Sequence, residues 1–246
     1  MAFGFFRQTE ENELPNTLSV AGRDVPLTVR ENARAKRLTM RIQPGSKGIT
    51  ITVPPGTRTK VVDDFIMRHA GWLETQIAKQ PDRPKVRAGI KLPIRGVNHM
   101  IKHESGRGVT EVRDGQSGPE LVVRGDEKFL ARRVADFLKA EAKHDIDALV
   151  AHHAGKVGRR VKSVRYRDTT SRWGSCSSDA NLSFSWRIMM APPSVINYLV
   201  AHECAHLREM NHGPNFWALC EELCPDTKRC KQWLKRNGGK LQAIEF

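Results

Sequence analysis

The sequence predicts an α+β protein: a β-rich N-terminal region with one helix, followed by a mostly helical C-terminal region. Three observations carry this. Short apolar runs broken by Gly, Pro and Asp fill residues 17–53 and again 81–125. Two long stretches, Lys60–Lys79 and roughly 127–153, repeat their apolar residues near a 3.6-residue period. A third helical group, roughly 195–236, contains the pattern His202-Glu203-Cys204-Ala205-His206.

Taken in order, residues 17–31 read as two strands around a Gly-Arg-Asp turn, and 37–54 as a hairpin about Pro44-Gly45. Pro54-Pro55-Gly56 closes that unit. The helix over Lys60–Lys79 follows, with Val61, Val62, Phe65, Ile66, Trp72, Leu73 and Ile77 on its apolar positions. Six glycines between Gly89 and Gly118 punctuate further strands. Asp126 is placed to cap the next helix, with Gly155 and Gly158 at its end. Val161–Arg167 and Leu182–Ile188 read as strands. Ser194 is a candidate N-cap for a helix over about Val195 to Met210, and two more helices fit 213–223 and 226–236. No internal repeat is visible. A domain boundary near Gly125 is expected, giving 1–125 and 126–246.

The 246 residues carry 41 Lys and Arg against 27 Asp and Glu, a net charge of +14. The excess is spread over both halves, +8 in 1–125 and +6 in 126–246, so there is no basic tail. It gathers in four clusters, at 34–41, 83–107, 156–172 and 228–240, which offer contacts to nucleic acid or serve only as a solvated surface. No apolar run is long enough for a membrane helix, and the start of the chain lacks an apolar signal core, so a cytoplasmic protein is expected. Five cysteines, four of them between 204 and 230, make a poor disulfide framework and read as small buried hydrophobes in a reducing compartment.

The chemistry concentrates in H-E-x-x-H. Residues four apart share a helix face, so His202 and His206 can present two imidazoles to one ion, and zinc favours such nitrogen ligands. Glu203 then stands beside the first ligand, where its carboxylate can take a proton from a metal-bound water. A third ligand is needed. His212, six residues after His206, has the spacing of a longer histidine motif, although Glu209 occupies the position where that motif has glycine. Glu221, Glu222 and a cysteine compete with it. Arg172, Asn181, Ser183 and Tyr198 are candidate oxyanion donors. Asp226 is either a cap or an outer partner of a ligand imidazole. Trp173, Phe184, Trp186, Phe216 and Trp217 read mainly as packing residues. The stretch Arg172-Trp173-Gly174-Ser175-Cys176 is a loop beside a cleft or a structural turn at Gly174.

Those five residues, together with Pro193, Tyr198, the motif at 202–206, His212-Gly213, Phe216-Trp217, Pro225-Asp226 and Trp233-Leu234, resemble the YgjP-like metallopeptidases, relatives of the SprT-like and WLM zinc proteases. The resemblance implies a small zincin, gluzincin-like in type, behind an N-terminal β-rich part. It implies zinc at His202, His206 and His212, with Glu203 as general base. The expected activity is zinc-dependent hydrolysis of peptide bonds in peptide or protein substrates. The alternative is a nucleic-acid-associated binding protein whose zinc is structural.

Overall fold

The computed structural model describes residues 15–43, 48–78, 84–169 and 172–246. The chain divides into two compact units, Met1–Arg83 and Pro84–Phe246. The chain start and the Pro44-Gly45 turn lie outside the described residues, as does Lys79, the expected helix end.

In the first unit, strands β1 (Thr17–Val20), β2 (Arg23–Glu31), β3 (Thr39–Ile42) and β4 (Ile49–Val53) form a sheet in the order β1-β2-β4-β3. β2 and β4 run parallel; the outer pairs are antiparallel. The β1–β2 turn is Ala21-Gly22, one step before the expected Gly-Arg-Asp. Both residues are left-handed, at φ 52° and 74°, which suits a two-residue hairpin. Alternation buries Leu18, Val20, Val25, Leu27, Ile49, Ile51 and Val53 on one face. Helices α1 (Thr59–Arg68) and α2 (Ala70–Ala78) cover it with Val62, Ile66, Leu73 and Ile77. They replace the single expected helix, because the chain leaves helical geometry at His69.

The second unit opens with β5 (Lys91–Ile94), β6 (Val97–Glu104), β7 (Glu111–Gly115) and β8 (Gly118–Arg124), ordered β5-β6-β8-β7. β6 and β8 are parallel and the outer pairs antiparallel. This is the strand order of the first unit. The first hairpin again turns on two left-handed residues, Arg95 (φ 49°) and Gly96 (φ 80°). The molecule therefore contains a structural repeat that the sequence does not display.

Asp126 accepts from the Lys128 backbone N–H at 3.1 Å and starts a 3₁₀ turn that leads into α3 (Leu130–Val157). Gly158 ends α3 in the left-handed conformation (φ 70°), whereas Gly155 lies within the helix. A second sheet, ordered β10-β11-β9, follows from β9 (Ser163–Arg167), β10 (Gly174–Cys176) and β11 (Asn181–Ser185). Then come a buried 3₁₀ segment, Trp186–Met190, and helices α4 (Pro193–Ala205), α5 (Pro214–Leu223) and α6 (Thr227–Ala243).

The expected boundary at Gly125 is displaced to Arg83–Pro84. Leu92, Ile94, Ile101 and Leu121 of the β5–β8 sheet share one core with Leu130, Val134 and Leu138 of α3 and with Ile188 and Met189, so that sheet belongs with the C-terminal helices. Arg187 locks the chain end into this core. Its guanidinium is 4% exposed, pairs with Asp168 at 2.6 Å and donates to the Ile244 carbonyl at 2.6 Å. No helix among the described residues is long and apolar enough to cross a membrane.

His153, in the packing between α3 and α4, is 1% exposed and donates from Nε2 to Asn197 Oδ1 at 2.8 Å. Burial pushes its pKa below the usual 6.5, and neighbouring His152 and Lys156 push the same way. The unfolded chain thus binds this proton at a higher pH than the fold does. Stability falls as pH drops through 6.5, with a slope of at most about 1.4 kcal/mol per pH unit for one proton. Urea unfolding between pH 7.5 and 5.5 should show a shallower loss for His153→Gln than for the wild type; equal slopes would refute the assignment.

Candidate metal centre

Helix α4 presents the motif. Pro193 stands in its first turn, where a missing N–H costs nothing, and the N-cap is Pro192 rather than Ser194. Val195, Ile196, Leu199 and Val200 are buried and fix the helix against the core. The helix ends at Ala205, with His206 as C-cap, and does not continue to Met210. Turn bonds from Leu207 N to Cys204 O and from Arg208 N to Ala205 O tighten this end. The early stop lets residues 207–213 double back, and Gly213 then starts α5.

That reversal brings His212 to the helix. Ligand-capable nitrogens of His202, His206 and His212 all lie within 4.8 Å of one another, and these three are the one such group among the described residues. The Nε2 atoms of His202 and His212 are 3.1 Å apart. Two nitrogens bound tetrahedrally at the usual zinc distance would stand about 3.3 Å apart. His206 donates from Nδ1 to the Glu209 carbonyl at 3.0 Å. The acceptor is a carbonyl, so the proton sits on Nδ1 and Nε2 keeps its lone pair. His202 Nδ1 is buried without a hydrogen-bond partner among the described residues, and packing holds that ring instead. Phe216, fully buried, lies 4.9, 4.5 and 4.6 Å from the His202, His206 and His212 ring centres. Burial and the other two imidazoles push His202 down to about 3, so it is neutral and free to offer a lone pair.

Glu203, 4% exposed, faces β10. A Cβ on Gly174 would stand 2.5 Å from Glu203 Oε1 and 2.7 Å from its Cγ. The glycine of the Arg-Trp-Gly-Ser-Cys stretch is thus the surface against which the carboxylate lies. The last three residues of this stretch, Gly174–Cys176, form an edge strand rather than a loop or turn, and among the described residues β10 pairs only with β11. Burial pushes Glu203 up to about 8, and the nearby Arg172 guanidinium opposes that rise.

The other candidates separate cleanly. Tyr198 stands one turn before His202, with rings 5.8 Å apart. Asn181 accepts from the Ser163 hydroxyl at 2.7 Å and is tied into the sheet. Ser183 pairs with Ser175 in mid-strand. Glu221 and Glu222 are exposed and outside the histidine group, and Glu221 pairs with Lys228 at 3.7 Å. Asp226 occupies the N-cap position of α6 without a capping bond and accepts from Arg229 at 2.7 Å. All five cysteines are free, four of them buried. Phe184, Trp186 and Phe216 are core residues, and Trp173 packs against Gly238 of α6.

A mixed α+β unit with two motif histidines and a returning third on one buried aromatic ring has the make-up of a metallopeptidase domain. The chain belongs to the YgjP-like family: the family model described as the YgjP-like metallopeptidase domain matches residues 36–237, from before β3 into α6. A solved structure, the metallopeptidase zymogen of Pyrococcus abyssi abylysin, is similar at 23% identity, with 41% of this chain and 99% of that chain covered and a TM-score of 0.35. No curated protein matches the chain.

Gly174→Ala should force β10 and Glu203 apart and cost about 1–3 kcal/mol. Adding Glu203→Ala to it should recover most of that loss. Additive costs in a double-mutant cycle read by urea unfolding would show that the two residues do not press on each other.

Proposed function

We propose that this protein is a zinc-dependent peptidase of the zincin type, in which His202, His206 and His212 hold the metal and Glu203 is the general base. The reading is carried by one observation: three imidazoles whose ligand atoms lie within 4.8 Å of one another, with a buried carboxylate next in sequence to the first of them. The donor set fits zinc, since all three ligands are nitrogens and the His206 tautomer leaves Nε2 bare. Bound zinc would polarise a scissile carbonyl and acidify a water. Glu203 would accept that water's proton and pass it to the leaving amine. Gly174 leaves the Glu203 carboxylate room to lie directly against β10. Arg172, whose charge acts on Glu203, is a candidate donor to a developing oxyanion. Among the described residues β10 pairs only with β11, so its other edge would offer backbone groups to an extended peptide. The free thiols suit a reducing cytoplasm.

A structural zinc would require a fourth protein ligand. Among the described residues no fourth His, Cys, Asp or Glu joins the group, which favours an open coordination position over the binding-protein alternative.

Metal analysis of purified protein should return about one zinc per chain, the stoichiometry of a single three-ligand site. His212→Ala should lose zinc, and Glu203→Gln should keep it while cleavage of a broad peptide panel falls at least about 100-fold. Retained cleavage in Glu203→Gln, or full zinc occupancy in His212→Ala, would overturn these roles.

A further inference from the structure

A lysine stands beside the candidate metal centre. Lys231, exposed on α6, places Nζ 3.9 Å from the centre of the Trp217 ring. That ring lies 5.7 Å from His212 and 5.9 Å from His202. A cation here opposes the loading of any metal ion, because like charges at close range repel. Stacking on Trp217 offsets part of that cost. No carboxylate among the described residues pairs with Lys231, although Lys228 and Arg229 on the same helix have acidic partners.

The surroundings repeat this bias. Helix α6 contains no acidic residue, and exposed Lys235, Arg236 and Lys240 continue beyond Lys231. Lys228, Lys231 and Lys235, at i, i+3 and i+7, form one stripe that passes Trp217. Arg172 approaches Glu203. An incoming anion would meet this cationic stripe beside the candidate site.

We propose that Lys231, held on the face of Trp217, is an anion-recognising subsite, and that the substrates are acidic peptides whose carboxylate binds Nζ next to the scissile bond. The inference rests on the peptidase reading of the site and names its substrate class. A single ammonium on a flexible stem matches a carboxylate, which an acidic side chain or a free C-terminus can supply.

The test titrates zinc-loaded, full-length Glu203→Gln with peptides carrying an uncharged dye, read by fluorescence anisotropy. Three peptides share one core: neutral with an amidated end, neutral with a free C-terminus, and Asp/Glu-containing with an amidated end. At low salt an anionic peptide should bind about tenfold more tightly than the neutral amide, and the gap should shrink as salt rises. Which of the two anionic peptides gains identifies the source of the carboxylate. Lys231→Met should abolish the preference and Lys231→Arg should keep most of it, while Lys102→Met on β6 should change nothing. Equal binding of all three peptides, or a preference that survives Lys231→Met in protein that retains its thermal transition, overturns the proposal. Lys231-dependent binding of a DNA or RNA oligonucleotide more tightly than any peptide overturns it in favour of a phosphate backbone. If the binding preference holds but the wild type cleaves none of the peptides, the peptidase reading fails and the anion subsite stands.

Discussion

Phe216 is the contact on which the site depends. One phenyl ring touches three imidazoles that come from the last turn of α4 and from the segment after it. The arrangement works only because α4 stops at Ala205. Another turn of helix would carry residues 207–210 along the axis and leave His212 beyond reach of His202. The stop is enforced by several weak features together: turn bonds to Cys204 and Ala205, the Glu209 carbonyl held by His206, and Gly213 opening α5. The helix end, the third imidazole and the aromatic floor form one structural unit, and the buried side chains of α4 keep it rigid.

The second pillar is the pressure of β10 on Glu203. A buried carboxyl must be held by something, and here it lies against backbone at a position where any side chain would collide. This links the Arg-Trp-Gly-Ser-Cys stretch to the motif helix by contact rather than by distance in sequence. Trp173, next to Gly174, is anchored on Gly238 of α6. Two glycines, one on the strand and one on the helix, thus set how closely these elements approach.

Much of this was legible in the sequence, and the failures have physical causes. The i, i+4 histidines and the adjacent glutamate stand out because helical spacing is rigid, and α3, α5 and α6 follow from periodicity and from Asp126, Gly158 and Pro214. The end of α4 was missed because Leu207 and Met210 extend its apolar pattern, and only tertiary bonds break the helix. Strand β10 was missed because three residues carry no alternation. The unit boundary was misplaced because Gly125 looks like punctuation, while the packing of Leu92 and Ile101 beneath α3 is long-range. The role of Phe216 had no local signal, since it reads as any core aromatic. The strand repeat escaped because TLSV-AG and KLPI-RG share a turn geometry and an alternation but few residues.

That repeat bears on how the chain reaches its folded state. In each unit the parallel pair, β2 with β4 and β6 with β8, is separated by a single intervening strand, so each sheet closes over a short loop and needs no partner from the other unit. The three clustered histidines come later in the chain, on α4 and the segment between α4 and α5. Strand pairing in both sheets is local in the chain, whereas the histidine cluster depends on contacts among elements that follow them.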